Sequence, residues 1–247
     1  MRFFVIAFQF LTIVPLPFAV RCDDDDLGRS MAVFPLVGLV IGALLVCADY
    51  LMGALLPRSV GDLILVALCT VVTGGLHLDG LADVCDGLAA RGSRERFLEV
   101  MKDPRVGAVG GAALVLALLL KYQALLALPL PCKRQVLLFF PLVARFSQVL
   151  MTVGAQRARR DGLGSLFIGG AGWGQLAVAG VSTLGIGLFL FGLNGIYCVA
   201  ALAALTWSMK SWAHRRLGGI TGDVIGCNSE LNEIGCLLVM LMLVGGR

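Results

Sequence analysis

From Ala32 to Leu56 the chain runs for 25 residues with a single charged side chain, Asp49. The hydrocarbon core of a bilayer takes about 20 mostly apolar residues in helical form, so a run of this kind commits the chain to lipid. Six further segments repeat the pattern: Asp62–Leu76, Val106–Leu128, Gln135–Gly154, Trp173–Gly192, Asn194–Met209 and Val224–Val244. The expected fold is all-α, a polytopic membrane bundle of about seven transmembrane helices forming one integral-membrane domain over residues 1–247. Composition agrees, with 58% hydrophobic residues, 15% charged and a mean hydropathy of +0.90. Soluble domains carry about 25% charged residues. A soluble enzyme, a disordered chain and a secreted disulfide scaffold are excluded.

Glycine recurs inside the spans, as in Gly38/Gly42 and Gly107/Gly110/Gly111, and small residues at these spacings let helix backbones approach closely in lipid. The N-terminal stretch Phe3–Leu11 follows a charge, as in a signal peptide, but Pro15 and Pro17 come next in place of a small-x-small cleavage site. It is expected to stay as a short or interfacial helix ended by the prolines. The eight cysteines include no Cys-x-x-Cys pair, which argues against disulfides and thiolate metal sites.

Alternate loops differ in charge. Residues 1–31, 77–105, 155–172 and 210–223 hold fourteen of the twenty basic residues, whereas the other loops hold Arg58, Lys133, Arg134 and Arg247. Cytoplasmic loops collect Lys and Arg, so the first set is expected in the cytoplasm. Twelve of the sixteen acidic residues lie there too. The net charge of +4 comes without a basic stripe or aromatic-interleaved patch, so no nucleic-acid partner is expected.

The densest polar segment is Gly74-Gly75-Leu76-His77-Leu78-Asp79-Gly80-Leu81-Ala82-Asp83-Val84-Cys85-Asp86-Gly87. On a helix its aspartates fall at i, i+4 and i+7, within about 60° around the axis. Three carboxylates on one stripe repel each other, and a hard divalent cation such as Mg²⁺, bound by Asp79, Asp83 and Asp86, offsets that repulsion. The plain alternative is a solvated acidic stripe. His77 faces away from the stripe, as a structural or substrate-facing group. Downstream, Lys102, Asp103 and Arg105 precede the glycine-rich start Gly107–Gly110, where free amides and the helix dipole favour phosphate. The alternative there is a basic anchor with glycine packing.

A third cluster sets Asp223, Glu230 and Glu233 on one side of the last span, near its mouth. Intramembrane carboxylates are costly unless paired or ion-bound. Asp23–Asp26 reads as a solvated acidic loop. Asp49 and Lys121, both inside spans, are candidates for an intramembrane pair. Arg157, Arg159 and Arg160 read as anchors, with Arg160-Asp161-Gly162 a further candidate for phosphate contacts.

The run Leu76-His77-Leu78-Asp79-Gly80-Leu81-Ala82-Asp83-x-x-Asp86-Gly87, followed by Met101-Lys102-Asp103-x-Arg105-x-Gly107, resembles the adenosylcobinamide-GDP ribazoletransferase (cobalamin synthase) family. Phe10-Leu11-Thr12 with Pro15 and Pro17, Phe34-Pro35-Leu36-Val37-Gly38, Arg160-Asp161-Gly162-Leu163-Gly164 and Thr221-Gly222-Asp223 with Glu230 and Glu233 match in the same order. The resemblance implies a Mg²⁺-dependent transferase of the bacterial inner membrane with its active site facing the cytoplasm. It would join α-ribazole, or its 5′-phosphate, to adenosylcobinamide-GDP and release GMP.

On that reading Asp79, Asp83 and Asp86 hold Mg²⁺ against the diphosphate, and Asp83 is the chosen proton acceptor for the ribazole hydroxyl. Lys102, Asp103, Arg105 and Arg160 bind substrate, with Asp223, Glu230 and Glu233 closing the site. A homo-oligomer stays open. Two rival readings are a CDP-alcohol phosphotransferase, whose Ala-Arg step is Ala82-Asp83 here, and an ion-coupled transporter, which places its acids near the midplane between repeats.

Overall fold

The computed structural model describes residues 1–17, 23–159 and 163–245, and everything below concerns these. The elements are α1 (Arg2–Leu11), α2 (Asp24–Ser30), a 3-10 turn at Met31–Val33, α3 (Phe34–Gly53), α4 (Arg58–Val72), α5 (Leu76–Ala89), α6 (Arg94–Val100), α7 (Ala108–Ala127), α8 (Leu130–Thr152), α9 (Leu163–Gly170), α10 (Trp173–Phe191), α11 (Leu193–Leu217) and α12 (Gly222–Val244). The all-helical bundle agrees with the expected fold. Five described helices are long and apolar enough to cross a membrane, or six with α4 and α5 as one broken span.

The sequence predicts seven, and two particulars account for the difference. The second candidate is α4, which is short and continues into α5 through a bend of 88°. Gly74 and Gly75 make that bend with φ of 62° and 66°, a left-handed conformation that glycine adopts without strain. The sixth candidate is α11, which overruns its expected end at Met209 and carries Lys210, His214, Arg215 and Arg216 in its last turns. These basic residues suit a helix C-terminus, and Lys210 Nζ also reaches the carbonyls of Leu150 and Val153 that end α8.

The core is organised around α8, whose residues from Phe139 to Val149 are all buried. Helix α3 lies against it through two glycines. A Cβ on Gly38 would stand 2.4 Å from the Pro141 carbonyl oxygen, and one on Gly42 would stand 2.7 Å from that of Leu137. The Gly38/Gly42 pair is therefore a close-packing face, as its spacing suggests.

Two sequence expectations are corrected. Asp23–Asp26 is not a solvated loop: Asp24–Asp26 open α2, Asp23 and Asp26 form a capping box, and the buried Asp26 pairs with Arg2. Asp49 and Lys121 do not pair. Asp49 accepts from Lys133 and Arg134, while Lys121 serves Glu230 and Glu233. Each of the two has nearer partners than the one expected.

Candidate active site

Helix α5 presents its aspartates where the ends of α7 and α12 and the segment after α8 come together. Glycine sets the spacing to α12: a Cβ on Gly80 would be 2.6 Å from the Asp223 carbonyl oxygen, and one on Gly226 3.3 Å from the Cα of His77. This contact brings Asp223, in the first turn of α12, alongside Asp79 and Asp83. Asp83 feels the charges of Asp79, Asp223 and Asp86, with Arg159 as the compensating cation. Asp79 is exposed and Asp83 half-buried.

Asp86 has a different occupation. Its carboxylate accepts from the backbone N–H of Gly107 at 2.7 Å and of Gly110 at 2.8 Å. Both glycines are needed, because a Cβ on either would lie within 2.4 Å of an Asp86 oxygen. The first amides of a helix seek an acceptor and its dipole favours an anion there. The sequence offers this helix start to phosphate; a carboxylate of the same chain fills it.

Two segments are fastened together beside the aspartates. Ile220 N–H donates to the Gln156 carbonyl at 2.8 Å, and Ala158 N–H donates to the Ile220 carbonyl at 3.0 Å. Arg94 ties the same pieces from α6, donating to the carbonyls of Leu217 at 2.6 Å and Ala158 at 2.8 Å. Next in chain, Arg159 donates to Asp223 Oδ2 at 2.9 Å.

Arg105 and Asp103 form a bidentate pair, with Nε to Oδ1 at 2.9 Å and Nη2 to Oδ2 at 2.7 Å. This guanidinium holds the Asp103 carboxyl down to about 2. Lys102 is exposed on the same loop. An open groove of about 510 Å³ runs past Asp86, Arg96, Asp103, Arg105 and Gly107. Arg160 lies outside the described residues.

Glu230 and Glu233 are not beside the aspartates. They lie two to three turns into α12, buried with two cations: Lys121 Nζ is 2.5 Å from Glu230 and 2.6 Å from Glu233, and the fully buried Arg145 pairs with Glu233. Two charges of each sign balance. Ligand atoms of His77, Glu230 and Glu233 come within 4.8 Å of one another, but both carboxylates already have ammonium or guanidinium partners. Gln148 Nε2 links this layer to α5 and α12, lying 2.9 Å from His77 Nε2 and donating to Ser229 Oγ at 2.8 Å. His77 is therefore part of the frame that holds α5.

The sequence profile of the cobalamin-5-phosphate synthase family matches residues 3–241. This chain belongs to the cobalamin-5-phosphate synthase family. It is 64% identical to the adenosylcobinamide-GDP ribazoletransferase of Geotalea daltonii, over all 247 residues and 99% of that relative. It is 32% identical over 234 residues to the protein of that name from Acetivibrio thermocellus, covering 94% of each chain. No solved structure matches it.

Three residues of this cobalamin-5-phosphate synthase family member are not picked out by sequence reasoning. Arg159 reads as an anchor along with its neighbours, since a basic run does not show which member turns inward. Arg94 binds carbonyls, which leave no trace in sequence. Gln148 carries a usable signal, a polar side chain inside an apolar span, because such groups seek partners in a bundle interior.

Proposed function

We propose that the chain joins α-ribazole, or its 5′-phosphate, to adenosylcobinamide-GDP, giving adenosylcobalamin or its 5′-phosphate and releasing GMP. The observation that carries this is the meeting of Asp79 and Asp83 on α5 with Asp223 on α12, in a chain so similar to proteins bearing that name. The location we propose is the inner membrane with this end toward the cytoplasm, supported by the fourteen basic residues of its loops.

The donor set suits Mg²⁺: hard carboxylate oxygens from two helices, mutually repelling, with Arg159 as their compensating cation. Asp79, Asp83 and Asp223 would hold the ion, which would supply charge neutralisation for a diphosphate and a GMP leaving group. Asp223 takes the place that the sequence reading gives Asp86, whose oxygens already serve Gly107 and Gly110.

The protein's own groups do the positioning. The groove lined by Arg96 and Arg105 receives the nucleotide end. The ribazole hydroxyl oxygen forms the new bond to phosphorus as the bond to GMP breaks, and Asp83 accepts the hydroxyl proton. Holding both reactants in position is the larger part of the rate, since phosphoryl transfer asks mainly for alignment and charge neutralisation.

The test supplies purified protein with adenosylcobinamide-GDP and α-ribazole, with and without Mg²⁺, and follows cobamide and GMP by chromatography. Mg²⁺-dependent release of both is the expected result. Substrate flux across sealed vesicles without covalent change would point to the transporter instead.

A further inference from the structure

The opposite end of the bundle holds a second polar pocket, of about 320 Å³, lined by Asp49, Tyr50, Arg58, Leu130, Lys133 and Arg134 among others. Among the described residues, the basic side chains that the sequence sets in the loops of that end are Arg58, Lys133 and Arg134, and all three line this pocket. Lys133 sits between Asp49, at 2.5 Å, and the fully buried Asp62. Arg58 lies 3.4 Å from Asp62 and donates to the carbonyls of Leu125 and Leu128. Arg134 reaches Asp49 through Nε at 2.9 Å, and its guanidinium lies 3.4 Å over the Tyr50 ring.

Three cations and two carboxylates leave one positive charge in excess, and the side chain of Arg134 is 43% exposed. Its apolar lining is open to the outside: Tyr50, Leu56 and Leu130 are 59%, 40% and 65% exposed. A pocket with a single surplus positive charge, opening between side chains that suit hydrocarbon, matches a molecule with one negative charge at its head and apolar chains behind it. Guanidinium groups are the preferred partners of phosphate oxygens, and an aromatic ring at this level suits the interface. We propose that this pocket holds the head group of one anionic glycerophospholipid, its phosphodiester against Arg134 and Arg58 and its acyl chains over Leu56 and Leu130.

The test uses the full chain in neutral detergent, stripped of lipid, with melting followed as phosphatidylglycerol, phosphatidylcholine or sn-glycerol 3-phosphate is added. At a hundredfold excess over Kd, phosphatidylglycerol is expected to raise Tm by roughly 5–10 °C. The Arg215→Gln control, altered at an exposed arginine of the other end, keeps that rise, and Arg134→Gln loses it. Native mass spectrometry shows one phosphatidylglycerol retained by the wild type and none by Arg134→Gln. Tyr50→Leu, which removes the stacked ring and keeps every ion pair, weakens retention severalfold and decides the matter if Arg134→Gln does not fold. No rise in the wild type, an equal rise with phosphatidylcholine, or full retention by the variants overturns the proposal. So does sn-glycerol 3-phosphate that reproduces the rise and blocks the lipid, since the pocket would then take a soluble phosphate.

Discussion

Gly80 and Asp223 meet backbone to backbone where α5 packs on α12, so closely that a Cβ on Gly80 would stand 2.6 Å from the Asp223 carbonyl oxygen. Replacing a helix-interior glycine by alanine ordinarily stabilises by about 0.5–1 kcal/mol. Here the added methyl has backbone in its way, and overpacking of this kind costs about 1–3 kcal/mol. Gly80→Ala is expected to part Asp79 and Asp83 from Asp223. A displacement near 1 Å at a reacting centre costs roughly a hundredfold in rate, so turnover should fall by that order while the protein still inserts and purifies. Unchanged turnover would show that the two helices need not touch.

Asp83 and Asp86 sit three residues apart on one stripe and should answer differently to the same substitution. Asp83→Asn removes the proposed proton acceptor and is expected to abolish turnover in a folded protein. Asp86→Asn keeps one acceptor oxygen where the Gly107 and Gly110 amides now use two and should retain turnover within about tenfold, while Asp86→Ala uncaps α7 altogether at a cost of about 0.5–2 kcal/mol. The comparison is read by activity beside melting temperature. Equal inactivity of both Asn variants, with unchanged melting, would return Asp86 to the chemistry.

Much of this arrangement is visible in the sequence, and the remainder is hidden for identifiable reasons. Unbroken apolar runs give the helices, and Gly38 with Gly42 gives a packing face, because both depend on local spacing. The aspartate stripe is equally local. The partners of Asp86 lie 21 and 24 residues away on another helix, and nothing near either end marks the pairing. Glu233 shares a helical side with Asp223, which suggests one site. At 1.5 Å per residue the ten-residue separation is about 15 Å along the axis, and the cations that neutralise Glu233 come from α7 and α8.

Arg94 clasps two carbonyls from segments that come together only in the fold, those of Leu217 and Ala158. Arg94→Ala should loosen the neighbouring Arg159 and Asp223 together. The expected signature is a drop in kcat of about tenfold, since the loss falls on alignment, with a smaller change in KM. Arg94→Lys, which cannot span both carbonyls in the same planar fork, should fall between. A pure KM effect would mean that Arg94 acts on substrate binding instead.

The Asp103–Arg105 pair gives a pH prediction. Because Arg105 lowers the Asp103 pKa from 3.8 to about 2, the pair contributes fully above the ordinary aspartate value and is lost as pH falls from there toward 2. Carbon-13 titration of the Asp103 carboxyl should show a midpoint near 2, returning toward 3.8 in Arg105→Gln. A wild-type midpoint at 3.8 would mean that the bidentate pair is open in solution.

Lys121 is the shared partner of Glu230 and Glu233, and all three side chains are buried. Removing one member of a buried ionic group leaves an uncompensated charge and costs about 3–5 kcal/mol, whereas removing opposite charges together costs far less. Lys121→Met should therefore destabilise strongly in detergent melts. Adding Glu230→Gln restores the balance, because Arg145 still pairs with Glu233, and should recover a large part of the loss. If the single variant melts with the wild type, the quartet does not hold α7, α8 and α12 together. If the double variant is worse than the single, Glu230 has a role that pairing with Lys121 does not explain.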